Sequence, residues 1–365
     1  MLVLHDEATR LHQTVEVLGA KTIPALECPE RLEKILEALA EDGRHGIRIV
    51  DAQGHEPELR QILSSSHDPG YLEHLRTCHD DWVRAGVIAV DDSVLPECFP
   101  VVGLARRPQP PKDIFARPGY YSFDLSTGIC KDTWKSATAS ASLALEAARL
   151  VADVSPVSTL DVLALCRPPG HHCTTALAGG YCYLNNAVVA VEGLRRFSAS
   201  EVRVAVLDLD FHHGNGTQSY FYADGSVLYV SIHGENEYPY YTGFEDEKGE
   251  GAGEGKTLNL ALPPKSSARD YLAKVDVAVE KIRAFGPSHL VVSLGFDTFH
   301  LDPLGSFDLR TENYEDIAAN VRCQSGIRGL PSILLLEGGY VLEHLGANVL
   351  SFLKGWEKEA DILSR

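Results

Sequence analysis

Five short, continuously apolar runs punctuate this chain, and four of them lead directly into residues with chemistry to offer. The runs are DVLALC (161–166), RVAVLD (203–208), VLYVSI (227–232), SHLVVSL (288–294) and SILLLE (332–337). Runs this short, without polar alternation, suit strands buried on both faces, the mark of a parallel sheet. Helix-like segments lie between them, including 136–152 and 267–285. The alternation predicts an α/β fold of three layers, a central mostly parallel sheet with helices on both faces. In such a sheet the ligand site lies at the carboxyl ends of the strands. RPPGHH follows the first run, DLDFHHGNG ends the second, GFDTFHLDPLG follows the fourth and GGY follows the fifth. Four segments far apart in sequence are therefore expected to meet at one place.

The chain has 365 residues and a net charge of −18, from 51 acidic and 33 basic residues. That balance argues against a nucleic-acid-binding face and suits a small cationic substrate. The amino terminus lacks the pattern of a signal peptide, and no apolar run approaches the roughly 18 residues of a membrane span. The eight cysteines form no CxxC pair, so neither a zinc ribbon nor a disulfide framework is expected, and a reducing cytoplasm is the default setting. No compositional shift divides the chain. The expectation is one catalytic domain over 1–365 with two long loops, about 93–128 and 233–256, the prolines of the first excluding regular structure across 107–118.

Asp208, Asp210 and His212 are spaced by two, so on an extended strand end they project from one face. Asp297, from another strand end, can join them. Asp210, His212 and Asp297 supply two carboxylates and one imidazole, three ligands that leave a position open, as in a catalytic zinc site. Asp208 then sits deeper, beside the ligands or on an alkali cation. A second metal would want carboxylates where the chain has Gly214 and Phe299, so one metal is expected. His171 and His172, adjacent in a Pro/Gly loop, can handle protons, with Asp208 and Asn215 as candidate partners, one favouring a charged ring and the other a neutral one. Tyr340, after two glycines, can donate to a developing oxyanion. There is no GxSxG. Together these parts predict amide hydrolysis by metal-activated water, without an acyl-enzyme.

RPPGHH, GGYCYLNNA (179–187), DLDFHHGNGTQ, GFDTFHLDPLG and EGGY, in this order, resemble the histone deacetylase superfamily, with its arginase-like α/β fold. PERLEKIL (29–36) and HDPGYLEHL (67–75) extend the likeness. GYYSFDLSTG (119–128), EYPYYTG (237–243) and NVLSFLKGW (348–356) resemble the acetylpolyamine amidohydrolase branch in particular.

The resemblance implies zinc on Asp210, His212 and Asp297, though Fe²⁺ or Co²⁺ fit the same ligands. It implies His171, His172 and Tyr340 as the catalytic groups. Tyr181, beside Gly180, and Tyr240 would wall a narrow channel for an acylated alkylamine, with Leu304 near its mouth. Asp208 would hydrogen-bond His171 and help bind a structural potassium with Ser231, while Phe221, Asp224 and Val227 match a second alkali site through backbone carbonyls. Asn215 stands where some members carry Asp, leaving His172 without a charged partner. Leu304 supplies no acid at the mouth, so a carboxylate to read a distant ammonium must come from a loop, with Glu97, Asp113 and Asp124 as candidates. The 93–128 loop is expected to narrow the mouth and to help form a homodimer. The expected substrate is a small N-acetylated amine, acetylpolyamines first; the alternatives are a protein acetyl-lysine deacylase and a metal-binding protein without turnover.

Overall fold

The computed structural model describes residues 1–51, 56–101, 109–152, 160–323 and 327–358. Its strands are β1 (Leu2–His5), β2 (Val15–Leu18), β3 (Lys21–Pro24), β4 (Gly46–Ile49), β5 (Asp161–Ala164), β6 (Val204–Asp208), β7 (Val227–Gly234), β8 (Thr257–Leu262), β9 (His289–Leu294) and β10 (Ser332–Leu336). Eight form one sheet in the order β4-β1-β5-β10-β9-β6-β7-β8, every neighbouring pair parallel. β2 and β3 form a separate antiparallel ribbon.

All five apolar runs are strands of that sheet, within a residue or two of their expected ends. β6, β7, β9 and β10 are buried along their whole length. Their side chains alternate between two apolar layers. Val204, Val206, Val291, Ile333 and Leu335 face the layer of helices Thr133–Val151 and Asn186–Phe197. Ala205, Leu207, Leu290, Val292, Leu334 and Leu336 face that of helices Glu30–Asp42, Ala268–Phe285, Thr311–Cys323 and Leu342–Glu357. Each fully buried Val or Leu contributes about 1.5–3 kcal/mol, so the two layers hold the sheet rigid beneath the site.

The helices expected at 136–152 and 267–285 run Thr133–Val151 and Ala268–Phe285, the second opened by a Ser267–Asp270 capping box. One expectation needs correction. The prolines do not exclude regular structure throughout 107–118, because Arg117–Tyr120 forms a helical turn. Pro118 sits in its first turn, where no intrahelical N–H is required. Residues 102–108 of that loop lie outside the described part. Among the described residues no helix is long and apolar enough to cross a membrane.

Candidate metal centre and active site

The carboxyl ends of β5, β6, β9 and β10 carry the four chemistry-bearing segments, and the sheet order places these strands side by side. Just beyond β6 the chain sets Asp210 and His212 against Asp297, which follows β9. One ligating atom from each lies within 4.8 Å of the others. His212 Nδ1 is 2.9 Å from Asp297 Oδ2 and 3.3 Å from Asp210 Oδ1. Backbone donors aim both carboxylates: Phe211 N–H donates to Asp297 Oδ1 at 2.8 Å and Gly338 N–H to Asp210 Oδ2 at 2.8 Å. Gly338 must be glycine. A Cβ there would stand 2.4 Å from Asp297 Oδ2 and 2.8 Å from Asp210 Oδ2.

Two buried carboxylates around one imidazole are a concentration of negative charge that asks for a cation. Burial and the neighbouring Asp210 push Asp297 up to about 7. Burial disfavours the charged form of His212, but its hydrogen bonds to Asp210 and Asp297 win and lift it to about 10. A divalent ion can take the place of the protons held here, since binding to such ligands releases them. The donor set, with nitrogen and carboxylate oxygens and an open side, fits a catalytic zinc.

The adjacent histidines differ in their partners. His171 Nδ1 lies 3.1 Å from Asp208 Oδ2, and Tyr229 O–H donates to that same oxygen at 3.0 Å. Burial opposes a charge on His171, yet Asp208, Asp210 and Glu337 outweigh it and raise the ring to about 10. His172 Nδ1 lies 2.8 Å from Asn215 Oδ1. Burial, then the charges of His171 and His212, depress His172 well below the usual histidine range. The pair thus holds one imidazolium and one neutral ring. The Asn215 contact places the His172 proton on Nδ1, leaving Nε2 as an acceptor.

Tyr340 is fixed through its backbone. Its N–H donates to Asp302 Oδ2 at 2.7 Å, and the Arg31 guanidinium lies 5.1 Å from its ring centre. Burial raises the Tyr340 hydroxyl well above its ordinary range, keeping it a proton donor. The Tyr181 ring meets that of Tyr340 at 5.7 Å, and its hydroxyl donates to Glu16 Oε2 at 2.8 Å. Tyr181 has a φ of 64° and follows Gly180, where a Cβ would clash with the His172 ring at 2.2 Å. The ring packed against His172 and His212 is that of Tyr238, at 5.0 and 5.9 Å, and not that of Tyr240. Tyr240 takes a φ of 69° and is 59% exposed, and its ring meets those of Tyr238 and Tyr241.

The remaining expected positions are as follows. Ser231 Oγ lies 2.9 Å from His233 Nδ1, on the strand next to Asp208. Phe221 is buried at the end of helix Asn215–Phe221, Asp224 pairs with Arg195, and Val227 opens β7. Leu304 N–H donates to Asp302 Oδ1 at 3.0 Å. Of the loop acids, Glu97 and Asp113 are exposed. Asp124 is occupied by protein donors: Ser126 N–H on Oδ1, and Ser126 O–H, Gly180 N–H and Tyr238 O–H on Oδ2.

Three participants had no role assigned from sequence. Glu337 is fully buried; its Oε2 accepts from Gly170 N–H at 2.7 Å and His171 N–H at 3.3 Å, and its Oε1 from Ser293. It braces the histidine loop from beneath. Burial raises its carboxyl to about 7. Its ligating atoms also cluster with those of His171 and Cys182. Burial keeps the Cys182 thiol protonated, and it donates to the Gly180 carbonyl at 3.3 Å, while the His171 ring is cationic. Arg31 donates to the Gly339 carbonyl, the Glu337 carbonyl and Glu27, pinning the EGGY turn. Tyr238 is the third.

A parallel α/β sheet carrying two carboxylates, an imidazole and a proton-handling histidine pair at its strand ends is the arrangement of a hydrolase with a candidate metal site. The model of the histone deacetylase domain matches residues 25–356. The chain is 39% identical over 353 residues to an acetylpolyamine amidohydrolase of Burkholderia pseudomallei, covering 96% of each. It is 36% identical over 360 residues to acetylpolyamine amidohydrolase 2 of Pseudomonas aeruginosa, covering 98% of this chain and 99% of that one. A crystal structure of acetylpolyamine aminohydrolase from Burkholderia pseudomallei superposes with a TM-score of 0.86 at 36% identity, covering 98% of both chains. The chain belongs to the histone deacetylase superfamily, in its acetylpolyamine amidohydrolase branch. It has the arginase/deacetylase-like α/β fold and is a hydrolase of amide bonds.

Proposed function

We propose that the chain removes acetyl groups from small acetylated amines, acetylpolyamines first, as a single catalytic domain over 1–365 with Zn²⁺ held by Asp210, His212 and Asp297. The observation that carries this reading is the buried trio beside one charged and one neutral histidine, on a chain similar along nearly its whole length to acetylpolyamine amidohydrolases. The metal, when bound, polarises the scissile carbonyl and acidifies water. His172 Nε2 takes a proton from the attacking water and returns one to the leaving amine. The His171 imidazolium, held by Asp208, keeps positive charge beside the reaction. Tyr340 O–H donates to the carbonyl oxygen as it gains charge. Tyr181 and Tyr238 flank the alkyl chain of the substrate, and the net charge of −18 draws a cationic one.

Further parts of this reading are a potassium ion on Asp208 and Ser231, a second alkali ion on the carbonyls of Phe221, Asp224 and Val227, a homodimer joined through the 93–128 loop, and a cytoplasmic setting. All eight cysteines are free, as a reducing compartment would keep them. The test is kcat/KM of the zinc-loaded protein on acetylputrescine and acetylspermidine against an acetyl-lysine peptide. A clear preference for the polyamines is expected. A preference for the peptide would replace this reading with that of a lysine deacylase.

A further inference from the structure

The two walls beside the catalytic histidines come from separate loops. One is the turn Gly179–Gly180–Tyr181, pressed against His172. The other is Tyr238, from the loop after β7. Among the described residues no hydrogen bond links them directly. They meet at Asp124 Oδ2, which accepts from Gly180 N–H at 2.7 Å and from Tyr238 O–H at 2.7 Å. The neighbouring residues reinforce the junction. Phe123 N–H donates to the Ala178 carbonyl at 3.1 Å, and the Phe123 ring stacks on Tyr238 at 6.2 Å. Gly179 leaves room for that ring, since a Cβ would stand 2.1 Å from it. Ser126 holds the same carboxylate through its N–H on Oδ1 and its O–H on Oδ2. On the opposite flank Tyr181 is tied independently to Glu16 and to Thr127.

We infer that Asp124 is a positioning residue that sets the channel width over the metal trio by tying its two walls to one carboxylate oxygen. This rests on the amide-hydrolase reading above, with the substrate's alkyl chain lying between those walls. Charge-assisted hydrogen bonds are the strong ones, and two converging on one oxygen leave the walls little freedom to part. Released, Tyr238 can swing off His172, and the channel admits alkyl chains bulkier than an unbranched one.

The experiment compares the N-acetyl forms of a linear diamine and of a diamine with a methyl branch on its alkyl chain, on the zinc-loaded protein. Asp124→Asn and Tyr238→Phe each remove part of the tie, one on the acceptor side and one on the donor side. Both are expected to lower the linear-over-branched ratio of kcat/KM by about tenfold, the size of one charge-assisted hydrogen bond. The double variant should lower it no further, because both substitutions break one link. An unchanged ratio in Tyr238→Phe overturns the proposal, as do effects that add in the double variant. A rise in KM confined to Asp124→Asn and to cationic substrates overturns it too, since that marks a carboxylate reading ammonium. Should Asp124→Asn not fold, Tyr238→Phe carries the test alone. Should the wild type leave the acetyl diamine intact, the substrate reading falls, and the ratio is measured on peptides carrying acetyl-lysine and a chain-branched acetyl-lysine instead.

Discussion

His172 Nδ1 meets the amide oxygen of Asn215 at 2.8 Å, whereas its neighbour His171 meets the carboxylate of Asp208 at 3.1 Å. One atom's difference in the partner helps to separate a neutral ring from a charged one. Asn215→Asp should abolish that separation. A carboxylate favours the imidazolium, so the His172 pKa rises and the base is lost at a higher pH than in the wild type. The acid limb of kcat/KM should move up by about one pH unit or more. A pH–rate profile checks this.

Gly338→Ala keeps the three ligand residues but drives a methyl group into both carboxylates, so that they must shift. Metal affinity should fall by about 10–100-fold, as when groups supporting ligands are lost. Metal content after dialysis against a weak chelator, with circular dichroism to verify the fold, reads the effect.

Tyr340→Phe removes an oxyanion donor and nothing that binds metal. Turnover should fall by about 10²–10³-fold with metal content unchanged and KM little altered. Wild-type turnover in this variant would remove Tyr340 from the mechanism.

Arg31→Met leaves the buried Glu27 with one cation fewer and frees two carbonyls of the EGGY turn. Breaking a buried ion pair from one side costs about 3–5 kcal/mol. The thermal midpoint should drop by several degrees, and Arg31→Lys, which keeps the charge, should recover part of it.

His74 is stacked on Tyr121 at 5.1 Å, and its Nδ1 has no partner among the described residues. Burial, with Arg117 nearby, lowers it to about 3. The unfolded chain binds a proton at His74 near pH 6.5 while the folded chain refuses it. Its contribution is therefore complete above pH 6.5 and declines as pH falls toward 3. His74→Phe keeps the stack and removes the titration. Urea midpoints should be close to wild type at pH 7.5 and higher than wild type at pH 5.

The strands that carry the chemistry were legible because burial on both faces leaves a plain apolar signature. β4 and β8, at the two edges of the sheet, were not, since Gly46–Ile49 is exposed throughout and Thr257–Leu262 only partly buried. Asp210, His212 and Asp297 could be named because strand-end acids have few other uses. Glu337 stood in plain view at the end of an apolar run, but its partner N–H groups belong to Gly170 and His171, more than 160 residues earlier. Arg31 reads as one charge on an amphipathic helix; its burial depends on carbonyls more than 300 residues away. EYPYYTG offers three tyrosines, and only the backbone decides among them: Tyr240 adopts a left-handed φ and turns to solvent, while Tyr238 lies on the histidines.

β10, the last strand of the chain, sits in the middle of the sheet, between β5 and β9. During synthesis the other seven strands of the sheet emerge first, as two incomplete half-sheets, β4-β1-β5 and β9-β6-β7-β8, each with an edge awaiting the same partner. Gly338, which aims Asp210, and Glu337, which braces the histidine loop, arrive with that partner. The ribosome thus delivers the keystone after every metal ligand has already left the tunnel. A metal held by Asp210, His212 and Asp297 would therefore bind tightly only once the two halves have closed.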